Sequence, residues 1–384
     1  MDNLKFAAAY IVETLLRLFP FPAKTGLFRI GNPGRNSPVF VTGNYHLTIL
    51  HVKRALQGKD AFLLVANSRG INVWCAAAGG HLTNHDVISV LKTSGIDELV
   101  DDRKVVLPQL AAAGVEAQVI QEKTGWKVVW GPVYARNIPQ FLESDFVKTP
   151  AMRTVSFPFT RRLEMAVAWA FPVSVIAFFI LLGLWRAVLF PLILLIWTVS
   201  LALFLLFPLY SGLLITGRKE QKSSFINFEH GGLQAISLSV IIAAIAGLSL
   251  LTGVFTWPFI LGWSIISLVL IIILTADLTG STPVYKSGMH PDRFFSVRIS
   301  EEKCRGVAFC EDVCPRNCYY IDQTRHLAEI PRADDCVQCG ACIIQCPFDA
   351  LFFENTKGER IQPETIRRFK LNLLGTRTIK EKER

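Results

Sequence analysis

Eight of the nine cysteines fall between Cys304 and Cys346, in two runs that each end in Cys-Pro. The second run places Cys336, Cys339, Cys342 and Cys346-Pro347 at C-x2-C-x2-C-x3-C-P spacing. In that pattern three thiolates hold one iron-sulfur cube and the fourth reaches across to a second cluster. Cysteines two residues apart rarely suit bridging to each other, which argues against a disulfide framework. This end of the chain therefore reads as an electron-transfer module. The first run departs from the pattern: Cys304, Cys310 and Cys314-Pro315 keep their places, but Val307 stands where the second thiol belongs. Cys318 follows Cys314 by four residues, which leaves two outcomes open. Either Cys318 fills the missing corner after a local rearrangement, or the corner stays empty and the cluster is 3Fe-4S.

The ninth cysteine, Cys75, sits apart in the stretch Asn72-Val73-Trp74-Cys75-Ala76-Ala77-Ala78-Gly79-Gly80. A thiol at the start of a small-faced helix lies where amide dipoles favour thiolate, and its small neighbours let a flat group approach the backbone. The same pattern also suits a buried structural cysteine. His81 and His85 follow at i, i+4 spacing, as a metal pair, as residues facing that group, or as capping and solvent-facing residues.

These residues need elements to hold them. Between residues 37 and 150, strand-like and helical runs alternate through 39–42, 46–56, 61–65, 73–78, 105–107, 115–120 and 127–130, and short apolar strands separated by helix-length segments predict an open α/β sheet. Ligands gather at the carboxyl ends of strands in such sheets, where the loops Val41-Thr42-Gly43-Asn44-Tyr45 and 72–80 lie. Farther along, 163–184, 187–207, 233–251 and 254–276 are almost free of charge, and each is long enough to cross a hydrocarbon core about 30 Å thick. Repetition with short polar breaks favours membrane spans over a buried helical core. Residues 208–217 are too few for another span and read as a kinked extension or half-helix. Arg153, Arg161 and Arg162 precede the first span, Arg218, Lys219 and Lys222 follow the second, and Lys286 and Arg293 follow the last. The positive-inside rule then puts both soluble ends in the cytoplasm.

With 51% hydrophobic residues and a mean hydropathy of +0.37, the chain is too apolar for an ordinary soluble protein. Its formal net charge of +9 comes from the span flanks and a basic tail. Those charges suit anionic lipid, and no nucleic-acid module accompanies them. The N-terminus reads as amphipathic, with Lys5, Glu13 and Arg17 interrupting Leu4, Ile11, Leu15 and Leu18 and no cleavage site following. The expected divisions are an N-terminal segment 1–36, an α/β domain 37–157, a transmembrane helical domain 158–280, an α+β ferredoxin-type domain 295–355 and a basic tail 356–384.

Two resemblances sharpen this reading. The cysteine runs resemble seven-iron ferredoxins, which also have a non-ligating cysteine at the position of Cys318. That implies Cys304, Cys310 and Cys346 on an incomplete cluster, and Cys314, Cys336, Cys339 and Cys342 on a 4Fe-4S one. Residues 38–45, 70–77, 107–110 and 131–136 resemble the mercury-methylation corrinoid protein, which is related to the corrinoid domain of the corrinoid iron-sulfur protein of acetyl-CoA metabolism. The membrane spans and 276–280 are similar to its membrane half. The resemblance implies a Rossmann-like corrinoid domain in which Cys75 is the lower cobalt ligand and the catalytic group, with Thr42, Gly43, Asn44, Asn72, Val73, Trp74, Ala76 and Ala77 about the cofactor. It further implies a corrinoid-dependent methyltransferase that works with a methyl-donor protein and a low-potential electron donor. That family's partner is a separate dicluster ferredoxin; here the ferredoxin is fused. Three departures bear on Hg(II) as methyl acceptor. Ala78-Gly79-Gly80 replaces the family's Gly-Lys-Gly, no cysteine follows residue 346 where the partner ferredoxin has a terminal pair, and Val307 replaces a thiol. The alternative is a membrane-anchored electron-transfer protein without methyltransferase activity.

Overall fold

The computed structural model describes residues 3–17, 19–214, 238–239, 241–247, 249, 256–281, 295–355 and 357–369. It divides into two bodies. Phe19–Val155 and Phe295–Arg384 belong to one, together with Met1–Tyr10; Ser156–Phe294 belongs to the other, together with Ile11–Leu18.

The first body is built on a five-stranded sheet. Its strands are β1 (Gly26–Ile30), β2 (Val39–Gly43), β3 (Ala61–Ala66), β4 (Lys104–Pro108) and β5 (Lys127–Gly131), in the order β1-β3-β2-β4-β5. β3, β2, β4 and β5 run parallel, and β1 closes one edge antiparallel to β3. Alternate residues of one strand feed opposite faces, as the two-residue period requires. Val39 and Val41 enter a core with Leu64, Ala77 and Leu107, whereas Phe40 enters a second core with Leu63, Val106 and Phe141.

The first of those cores does not stop at the α/β domain. It continues into Val313, Ile343 and Phe353 of the cysteine-rich domain, so the two domains share one apolar interior. That second domain pairs strand Ser296–Ile299 with Leu351–Glu354 and carries two short helices, Phe309–Val313 and Ala341–Gln345.

One expectation shifts. β1 lies inside the segment set apart as 1–36, so the sheet begins before residue 37. Residues 21–23 are also stitched to the domain: Phe21 N–H donates to Gly70 O at 3.0 Å and Ala23 N–H to Asn44 O at 2.8 Å. Gly70, at φ +69, lets them lie there, since a Cβ would sit 2.5 Å from Pro22 N. The run at 115–120 enters helix Ala117–Thr124, which closes on Gly125 at φ 75.

In the second body three helices are long and apolar enough to cross a membrane: Phe159–Leu184, Val188–Leu205 and Trp257–Leu274. They match three of the four expected spans. Of the fourth, 233–251, only 238–239, 241–247 and 249 are described, and the charged connections 215–237 and 282–294 and the tail beyond 369 lie outside the described residues. The expected half-helix is a short helix, Phe207–Leu214. Ser200 Oγ donates to Ala166 O at 2.9 Å, tying the first long helix to the second. Buried Glu164 is paired with Arg161 at 2.6 Å and Arg17 at 3.6 Å, as a carboxylate out of water must be.

Candidate functional site

Cys75 lies on a one-and-a-half-turn helix, Val73–Ala78, that follows β3 on the carboxyl side of the parallel strands. Asn72 caps it, its side-chain oxygen accepting from Trp74 N–H at 2.9 Å. The helix has two faces. Val73, Ala76 and Ala77 are buried and Trp74 half-buried, while the Cys75 thiol is exposed. The small residues serve close packing against protein: a Cβ on Gly114 would lie 2.6 Å from both Ala77 O and Leu82 O. Of the helix residues named as cofactor contacts, Trp74 and Cys75 thus face outward, and Val73, Ala76 and Ala77 belong to the core.

The loop after β2 divides similarly. The Asn44 side-chain oxygen accepts from Ser68 N–H at 2.8 Å and Gly70 N–H at 2.9 Å, and its amide nitrogen donates to Ala23 O at 3.2 Å. Asn44 therefore knots three segments together. Ser68, which the sequence gave no reason to single out, is the other half of that knot, its hydroxyl donating to Ile71 O at 2.9 Å. Gly43 keeps the approach open, since a Cβ there would meet Ser68 Oγ at 2.6 Å. Thr42 is 1% exposed, and its hydroxyl has no protein partner.

His81 and His85 do not share a helix face. His81 lies in the turn before helix Asn84–Thr93 and His85 in its first turn, where Thr83 and Asp86 form the capping box.

The other eight cysteines ring two cavities of about 350 and 320 Å³. Cys304, Cys310 and Cys346 line the first with Val307; Cys314, Cys336, Cys339 and Cys342 line the second with Cys318 and Tyr319. Three cysteines line the first and five the second. Among the described residues no three His, Cys, Asp or Glu side chains converge tightly enough for a single metal ion. The thiols therefore surround a volume rather than a point.

Backbone geometry repeats between the halves. Gly306 and Gln338, two residues after Cys304 and Cys336, both have positive φ, as do Ala308 and Gly340 ahead of the two short helices and Asn317 and Asp349 after the two prolines. Cys318 N–H donates to Cys314 Sγ at 3.3 Å, and Ala350 N–H donates to Cys346 Sγ at 3.4 Å in the matching place. Ala328 and Gln338 N–H groups point at Cys304 and Cys336 at 3.4 Å. Amides aimed at sulfur favour thiolate over thiol.

Cys318 thus occupies the position of Ala350, beside the second cavity and not at the corner vacated by Val307. Its thiol donates to Cys314, which brings Cys314 down to about 7, and donation to Cys314 and Cys336 pushes Cys318 far up. Burial pushes Cys310 up to about 12.

The domains meet along residues 109–117 and 148–155. Arg153 pairs with Glu311 at 3.1 Å, Val155 N–H donates to Pro315 O at 2.8 Å, and Arg316 donates to Val155 O at 3.1 Å. Lys148, its side chain 3% exposed, reaches Asp312 at 3.0 Å and Gln109 Oε1 at 3.1 Å. Burial outweighs the Asp312 attraction and holds Lys148 down to about 8. The unfolded chain keeps this proton up to about 10.5, so between those values it binds more protons than the folded chain. Stability should therefore gain from this group as pH rises from about 8 to 10.5. In Lys148→Met that gain should vanish, which chemical denaturation of both proteins across this range measures directly.

Residues 18–142 match the family model of the CO dehydrogenase/acetyl-CoA synthase delta subunit, and residues 330–352 match that of the 4Fe-4S binding domain. The acetyl-CoA decarbonylase/synthase complex subunit gamma of Methanopyrus kandleri is 38% identical over 128 residues, which is 33% of this chain and 27% of that protein. The subunits gamma of Archaeoglobus fulgidus and Methanothermobacter thermautotrophicus are 37% and 36% identical, each again with 27% of its length covered. The chain thus spans about a quarter of the curated relatives it matches, and joins a domain similar to theirs to a 4Fe-4S binding domain in one polypeptide.

Proposed function

We propose that the protein is a membrane-bound corrinoid-dependent methyltransferase whose own ferredoxin domain re-reduces the cobalt. The observation that carries this reading is the packing of the Cys75 helix and of helix Ala341–Gln345, between Cys339 and Cys346, against one short segment, residues 109–117. The donors present fit both groups. The exposed thiol of Cys75, on a capped helix at the carboxyl side of the parallel strands, suits a corrinoid with Cys75 as lower ligand. Thiol-only cavities with amides aimed at sulfur suit iron-sulfur clusters. When bound, the corrinoid supplies a cobalt that carries a methyl group and needs an electron donor to be restored.

Cys304, Cys310 and Cys346 would hold a three-iron cluster and Cys314, Cys336, Cys339 and Cys342 a four-iron one. Cys318 stays protonated as a hydrogen-bond donor to the second set. Cys75 would hold the cobalt, and a thiolate there would supply electron density that favours methyl transfer as carbanion or radical and so suits a soft metal acceptor. The apolar helices anchor the protein in lipid with its soluble domains in the cytoplasm, where a methyl-donor protein and a low-potential reductant reach them.

Methyl loading separates this from electron relay alone. Reduced protein incubated with a labelled methyl donor should retain label on cobalt and release it to an acceptor; a protein that reduces cobalt but never takes up label is a relay. With Hg(II) as acceptor, methylmercury formation should fall away at low Hg(II), because residues 347–384 hold no cysteine pair to deliver the ion. Turnover that holds at low Hg(II) would show that pair to be dispensable.

A further inference from the structure

We propose that Gln345 is the positioning residue that locks the iron-sulfur domain onto the Cys75 side of the sheet and thereby sets the rate of electron passage between them. The inference rests on the corrinoid reading above. Gln345 is 8% exposed and directly precedes Cys346, a lining residue of the first cavity. Its whole amide is used across the domain boundary. Nε2 donates to Ala112 O at 2.9 Å and Val115 O at 2.7 Å, and Oε1 accepts from Ala117 N–H at 3.2 Å.

Those partners are helix-end groups. Ala112 O belongs to the closing turn of the 3-10 helix Gln109–Ala113, and Ala117 N–H to the first turn of helix Ala117–Thr124, whose N-cap Glu116 makes no side-chain cap. Groups at such ends lack partners within their own helix. One side chain from the cysteine-rich domain thus completes two helix ends of the α/β domain. Between them lies Gly114, whose backbone rests on Ala77 of the Cys75 helix. Covalent bonds, hydrogen bonds and one close backbone contact therefore link Cys346 to the helix that carries Cys75. Arg367 flanks this route, donating to Cys346 O at 2.9 Å and lying 3.8 Å from Glu116. In the step concerned, one electron at a time, supplied to the clusters by the added reductant, would pass from the iron-sulfur domain to the corrinoid held at Cys75.

The test compares full-length wild type with Gln345→Leu, which keeps bulk and loses every one of these bonds, and with Ala117→Pro. The latter removes the same N–H from the other side, at a first helical position where proline is tolerated and after an extended Glu116 (φ −100, ψ 114). Iron, cobalt and cluster potentials by EPR titration should match wild type. Amide exchange across residues 115–120 should accelerate about tenfold in Gln345→Leu. Cobalt reduction after mixing with Ti(III) citrate should slow about tenfold or more in Gln345→Leu, with a smaller slowing in Ala117→Pro. Unchanged exchange, or faster exchange with a wild-type reduction rate, overturns the proposal, and Ala117→Pro applies the same criterion if Gln345→Leu fails to fold. A parent protein with iron but no cobalt instead overturns the corrinoid reading, and the redox role of Gln345 with it, leaving exchange to report on the bracket alone.

Discussion

Replacing Cys75 with alanine should abolish methyl turnover and alter the visible and EPR spectra of cobalt while leaving the fold untouched. The thiol is exposed, and an exposed substitution away from any cap or core typically moves stability by no more than about 0.5 kcal/mol. Asn72, the cap of this helix, and the buried Val73, Ala76 and Ala77 remain in place. The loss therefore falls on chemistry alone. Far-UV circular dichroism and the thermal midpoint should overlay on wild type while activity is gone; spectra and turnover that also overlay would remove Cys75 from the site.

The second large effect concerns the empty corner. Val307 lines the first cavity and is 43% exposed, so a thiol placed there reaches the cavity without displacing core. Val307→Cys should convert the oxidised three-iron EPR signal of the parent into a four-iron site and raise iron content by one per chain. Cys318→Ala should leave the three-iron signal as it was, because Cys318 lies beside the second cavity and hydrogen-bonds to its thiols. If Cys318→Ala instead destroys a four-iron cluster present in the parent, Cys318 is a ligand.

What could be read from the sequence, and what could not, divides along physical lines. Thiol spacing is local, and Cys304, Cys310 and Cys346 line one cavity. The apolar runs 39–42, 61–65, 105–107 and 127–130 became parallel strands because their alternation feeds two cores at once. Alanines after Cys75 read as room for a flat ligand, yet the close approach they permit is taken by the backbone at Gly114. Nothing local marks that long-range contact. The same holds for Asn44, whose capacity is spent on Ser68, Gly70 and Ala23, and for Gln345, whose partners lie more than 200 residues away. The charge-free runs announced the long helices by length and composition alone, and three are present among the described residues.

Metal analysis of the anaerobically purified full-length protein tests the central claim most directly. The account predicts cobalt and iron together in the same chain, at one cobalt to seven iron by the ligand sets of Cys75 and the two cavities, with the cobalt spectrum of a base-off corrinoid. A protein purified from a corrinoid-producing host with its clusters full and no cobalt, and unable to take up added corrinoid, would contradict it.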